Sequence, residues 1–73
     1  MISAIEMFNK LGFVIDKNDE NGFYYTCFSN EDLYIYFNKK DKYLIYNANY
    51  DGVIDTTILK AINKQVEELG WNN

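Results

Sequence analysis

The chain contains no proline, no histidine and no arginine, and it has one cysteine and one tryptophan among 73 residues. Each absence removes a class of chemistry. With Cys27 alone, an intramolecular disulfide is excluded. One thiol without histidine also cannot build the tetrahedral nitrogen and sulfur shell of a zinc site. Nucleophilic catalysis loses its usual base, since no histidine stands ready to deprotonate a serine or thiol. Nucleic-acid binding draws its affinity from Lys and Arg on phosphates, and an arginine-free chain of net charge −4 is poorly equipped for it. Long apolar runs are missing too: none approaches the roughly 20 residues that cross a bilayer. The start, Met1-Ile2-Ser3-Ala4-Ile5-Glu6, lacks the basic and apolar regions of an export signal. A lone cysteine without such a signal leads us to expect a cytoplasmic protein.

What is present is core-forming material. Hydrophobic residues make up 48% of the chain and aromatics 18%, including seven tyrosines and five phenylalanines. That is too much for a disordered segment and enough for one small domain spanning residues 1–73. A domain of this size buries only about 60% of its unfolded surface, so packing or self-association must supply its stability.

Two segments read as helices. Ser3 and Glu6 have capping-box spacing, and Ala4, Ile5, Phe8 and Leu11 fall on one helical face before the stop at Gly12-Phe13. Asp55 or Thr56 opens the second, with a stripe of Leu59, Ile62, Val66 and Leu69 and a stop at Gly70-Trp71. Between them lie four strand-like runs: Phe13 to Asp19, Phe23 to Phe28, Leu33 to Asn38 and Tyr43 to Asn49. Asn21-Gly22 suggests a tight hairpin, and the polar runs 29–32 and 39–42 suggest two more turns. Short connections predict an antiparallel meander in chain order. Asp51-Gly52 is a further turn signal, leaving room for a short fifth strand at Val53-Ile54. The expected fold is α+β: a four-stranded antiparallel meander with an N-terminal and a C-terminal helix packed on one of its faces.

Alternation with period two then sorts the strands into faces. Centring the first hairpin on Asn21-Gly22 gathers Phe13, Ile15, Tyr24, Thr26, Phe28, Leu33, Ile35, Phe37, Leu44, Tyr46 and Ala48 into a core under the helices. The opposite face then carries Phe23, Tyr25, Cys27, Tyr34, Tyr36, Tyr43 and Ile45, with Val14, Asp16, Asn38 and Asn47 at its margins. Nothing in the chain remains to cover it. Tyrosine is a good residue for an exposed sheet, yet a contiguous aromatic face is also what a partner surface requires. Phe23, Tyr25, Tyr34, Tyr36, Tyr43 and Ile45 are therefore the expected partner-binding residues.

No catalytic, cofactor-binding or metal-binding constellation emerges. Asp16 to Gly22 begins like a calcium loop, but the sixth position is Asn21 instead of glycine and the twelfth is Cys27 instead of glutamate. The four glycines are scattered turn residues and cradle no phosphate. Glu67 and Glu68 read as solvated helix charge, and Cys27 as an inert residue of the sheet. The expected function is non-catalytic binding of a protein partner, or of a second copy, through the aromatic face. The same tyrosines could stack single-stranded nucleic acid, an alternative that the missing basic residues speak against.

Glu6-Met7-Phe8-Asn9-Lys10-Leu11-Gly12-Phe13 and Ala61 to Trp71, ending Glu67-Glu68-Leu69-Gly70-Trp71, resemble small phage and prophage proteins of low-GC Gram-positive bacteria. Those proteins open with a helix ending in Lys-Leu-Gly-aromatic and close with one ending in Glu-Leu-Gly-Trp. The resemblance covers both helices and not the sheet. It implies a phage-type accessory protein, of the kind that binds and inhibits a host defence or host enzyme, and it carries no catalytic residues.

Overall fold

A computed structural model of the protein describes residues 2–48 and 53–71. The elements follow in the order α1 (Ala4–Lys10), β1 (Phe13–Asp16), β2 (Gly22–Cys27), β3 (Asn30–Asn38), β4 (Tyr43–Asn47) and α2 (Thr56–Glu68). The strands form one antiparallel sheet in the order β1-β2-β3-β4. The α+β meander with flanking helices is the architecture that the sequence predicts. The turn signal at Asp51-Gly52 and the end of the fourth run at Asn49 lie outside the described residues, and Val53-Ile54 form no strand.

Both helix starts are chemically marked. Ser3 Oγ accepts the Glu6 N–H at 3.2 Å while Glu6 Oε1 accepts the Ser3 N–H at 3.3 Å, completing a capping box. Asp55 Oδ1 accepts the Thr57 hydroxyl at 2.6 Å and the Ile58 N–H at 2.9 Å, which together hold the Asp55 carboxyl below its usual range. Both helices stop at a glycine in the left-handed region, Gly12 at φ 90° and Gly70 at φ 75°. After α2 the Gly70 and Trp71 N–H groups bond the Glu67 and Val66 carbonyls, a full Schellman closure.

One strand turns the opposite face to the core from the one expected. β1, β3 and β4 turn Phe13, Ile35, Phe37, Leu44 and Tyr46 towards the helices as anticipated, with the first three fully covered. β2 is reversed: Phe23 and Tyr25 are buried, and Tyr24 and Thr26 face outward. Phe8 of α1 stacks on Tyr25 at 4.0 Å between ring centroids and meets Phe13 and Phe37 edge-on. Phe23 stacks on Phe37 at 5.3 Å, and Trp71 closes over Phe37 from the end of α2. On α2 the buried stripe is Ala61, Ile62 and Gln65, flanked by Ile58, Val66 and Leu69. Leu59, expected in that stripe, is exposed, as is Ile5 on α1.

Two local devices cause the reversal of β2. The first hairpin does not turn at Asn21-Gly22, and neither residue has the positive φ of a type I′ turn. Instead Asp19 Oδ1 accepts the N–H groups of Asn21 (2.8 Å) and Gly22 (3.1 Å), and the Asp19 N–H bonds the Gly22 carbonyl at 2.9 Å. That draws the tip back to Glu20-Asn21. Lys17, at φ 48°, takes up a further residue. The result sets Ile15 opposite Tyr25 in place of the anticipated Phe28. In the second hairpin Cys27 pairs with Asn30 across a Phe28-Ser29 tip, after which the register jumps so that Thr26 opposes Tyr34. Residues 31–33 have no opposite residue on β2, and this bulge restores Ile35 and Phe37 to the side of Tyr25 and Phe23. Phe28, expected in the core, is 79% exposed at the tip, and Ile15 is 38% exposed on the edge strand.

Candidate interaction face of the sheet

The sheet face away from the helices carries Tyr24 and Thr26 from β2, Tyr34, Tyr36 and Asn38 from β3, and Tyr43, Ile45 and Asn47 from β4. Val14 and Asp16 of β1 border it. Each reaches this face by period-two alternation, as Tyr34 and Tyr36 do around the buried Ile35. Of the six residues expected to bind a partner, Tyr34, Tyr36, Tyr43 and Ile45 lie here. Phe23 and Tyr25 do not. Both sit in the core because Lys17 absorbs one extra residue in β1's approach to the turn, and an odd-residue offset turns β2 over. Tyr24 takes their place.

The phenol rings form a connected row across the strands. Tyr24 meets Tyr36 at 4.6 Å and Tyr34 at 5.5 Å between centroids, and Tyr36 meets Tyr43 edge-on at 6.4 Å. Asn38 ties the row to the β3–β4 turn: its side-chain amide donates to Tyr36 Oη (3.2 Å) and Tyr43 Oη (3.3 Å). Its Oδ1 accepts the Asp41 N–H at 2.7 Å. Asn47 Nδ2 donates to the Asp32 carbonyl at 2.8 Å, pinning β4 beside the bulge. Tyr43 and Ile45 remain 44% and 47% exposed.

Gly22 makes this row possible. A Cβ there would stand 2.2 Å from the Phe37 carbonyl oxygen and 3.0 Å from both Cε1 and Oη of Tyr36. Tyr36 therefore lies across a position where no side chain fits, an aromatic covering the backbone of a glycine. The residue read as a turn glycine acts as a packing glycine within β2.

At the β1 side of the face an open depression of about 500 Å³ is lined by Asp16, Lys17, Tyr24, Thr26, Asp32 and Tyr34. Lys17 Nζ lies 6.0 Å from the centroid of the Tyr24 ring. A second depression of about 350 Å³ opens on the helical side, lined by Ile2, Met7, Lys60, Asn63, Lys64 and Glu67. Among the described residues no group of three or more Cys, Asp or Glu side chains is placed to hold a metal ion. No helix among them is long and apolar enough to cross a membrane.

Four polar residues have roles that the sequence reading did not assign. Gln65 is buried and accepts the Tyr25 hydroxyl. Glu68, read as solvated charge, accepts the Ala4 N–H at 2.9 Å through Oε2 and so caps the first turn of α1 from the far end of the chain. Glu67 pairs with Lys64 at 3.6 Å. Ser29 Oγ stands 3.3 Å from Cys27 Sγ, and this hydrogen bond lowers the Cys27 pKa against the opposing effect of burial. A signal for Gln65 existed, because residues 58, 62, 65 and 69 step by three and four along one face and Gln65 alone among them is polar.

Comparison of the chain with protein-family models, with curated proteins and with solved structures finds no match.

Proposed function

We propose that the protein is a non-catalytic accessory module of phage type that binds a protein partner, or a second copy of itself, through the outward face of its sheet. The observation that carries this reading is the uncovered row of Tyr24, Tyr34, Tyr36 and Tyr43 with Ile45 beside it, on a sheet whose other face is occupied by both helices. Tyrosine suits such a surface because its ring offers a large apolar area while the hydroxyl keeps a polar partner. The rings are already held against one another, so little side-chain entropy is lost when they dock. A small domain with a thin stability margin also gains from covering that face.

Inhibition of a host defence or host enzyme is the action we infer from the resemblance of the two helix ends to small phage proteins. The test is the solution mass across concentration, together with recovery of a partner from a Gram-positive host lysate, for the wild type and for Tyr43→Lys and Ile45→Lys. Both positions are exposed and outside the core. Loss of self-association or of a specific partner in these variants is the expected result. A monomer whose behaviour neither substitution changes, and which recovers no partner, overturns the reading. Retention on single-stranded oligonucleotide that weakens with salt would replace it with nucleic-acid binding.

A further inference from the structure

The depression at the β1 side of the open face brings together groups of complementary kind. Tyr24 and Tyr34 meet at 67° with centroids 5.5 Å apart, so a ring face and a ring edge share one floor. Asp16 and Asp32 line the same depression. Neither carboxylate has an ion-pair or hydrogen-bond partner among the described residues. Asp32 is engaged only through its backbone, donating to Asn30 Oδ1 and accepting from Asn47 Nδ2. The one cation present is Lys17, whose ammonium lies over the Tyr24 ring at 6.0 Å from a residue held in the left-handed region.

Two carboxylates against one ammonium leave the depression net negative, on a chain that is itself net negative. An anion is therefore repelled. An aromatic face bordered by carboxylates attracts a cation, and a guanidinium does so best, because it stacks flat on a ring while its fork of N–H donors meets carboxylate oxygens. Lys17 meets the ring as a point charge and leaves that fork geometry unused.

We propose that this depression is a subsite for an arginine side chain of the protein partner, with the Lys17 ammonium as an intramolecular stand-in that the guanidinium displaces. The proposal rests on the reading of the open face as the docking surface and adds the chemistry of what docks there.

The probe is a blocked tri-arginine peptide titrated at low salt into isotopically labelled protein, followed by amide chemical shifts. Shifts should concentrate at Tyr24, Thr26, Asp32 and Tyr34. Lys17→Ala should tighten binding about two- to fivefold, the size of an exposed cation–π contact. Asp16→Asn and Asp32→Asn should each weaken it up to about fivefold, as for exposed ion pairs. A tri-lysine peptide should bind more weakly and tri-glutamate not at all. Shifts centred on Asp19 and Glu20, equal binding by tri-lysine, or affinity unmoved by Lys17→Ala and Asp32→Asn would each overturn the proposal. If the peptide fails while Tyr43→Lys or Ile45→Lys still abolishes association, the open face stands and only its cationic occupant is wrong. If those substitutions also change nothing, the failure lies with the face itself.

Discussion

The Tyr25 hydroxyl donates to Gln65 Oε1 at 2.5 Å, joining the centre of the sheet to the buried stripe of α2 across 40 residues of chain. Both side chains are buried, and among the described residues no buried side-chain polar atom lacks a partner. This bond lets β2 place a tyrosine in the core, because an inward hydroxyl without an acceptor would carry its full desolvation cost. Removing one partner should therefore hurt more than removing both. Tyr25→Phe strands Gln65, and Gln65→Leu strands the hydroxyl, each costing about 1–3 kcal/mol. The double variant should recover part of that loss. Urea unfolding of the four proteins gives the coupling, and strictly additive losses would show that the bond contributes nothing specific.

Alkaline pH should weaken the same contact. Burial, reinforced by the Glu68 charge, raises the Tyr25 pKa from 10.0 to about 12. The folded state thus holds the phenolic proton more tightly than the unfolded chain. Its contribution is complete below pH 10 and is lost as pH rises from 10 through 12. Tyr25→Phe should remove this component of the alkaline transition, and Glu68→Gln should shift the Tyr25 titration downward. Phenolate absorbance and denaturant midpoints measured at several pH values would decide. A Tyr25→Phe variant with the wild-type pH slope above pH 10 would count against the assignment.

Gly22→Ala tests the packing of the phenol row. The added Cβ meets the Phe37 carbonyl oxygen at 2.2 Å, so the β2–β3 pairing must shift to admit it. Overpacking of this kind costs about 1–3 kcal/mol. The expected signature is a lower denaturant midpoint together with altered near-ultraviolet dichroism from Tyr36. Unchanged stability would mean that the strands part there at no cost.

Phe8 is the side chain on which α1 depends. It is fully buried against Tyr25, Phe13 and Phe37. Phe8→Ala should cost about 3–5 kcal/mol, comparable with the whole margin available to a domain of this size. The variant is expected to be unfolded or molten at room temperature, as read by amide dispersion.

Cys27 should alkylate at lower pH than an ordinary thiol, since a hydrogen bond from the Ser29 hydroxyl favours its thiolate. Ser29→Ala should move the midpoint of the rate–pH profile upward. A profile that does not move would remove Ser29 as the cause.

Much of the fold is legible in the residues themselves. Ser3 with Glu6, Asp55, Gly12 and Gly70 specify both ends of both helices through local hydrogen bonds and the one conformation that only glycine adopts cheaply. The four strands and their order follow from alternation and short polar turns. Four of the six expected interaction residues also lie where alternation on β3 and β4 puts them.

The run Phe23-Tyr24-Tyr25-Thr26-Cys27-Phe28 is different, because its two faces are almost equally apolar and period two cannot say which is inside. What decided it was the pairing of the assembled sheet: Lys17 and the bulge at 31–33 each absorb an odd number of residues beside β2, and Gln65, 40 residues away on α2, receives the hydroxyl that this turns inward. A one-residue slip reverses every side chain of a strand. Local sequence therefore determined the elements and their order in the sheet, and only the register of the assembled strands, closed by the Gln65 contact from α2, decided which tyrosines the protein shows to its surroundings.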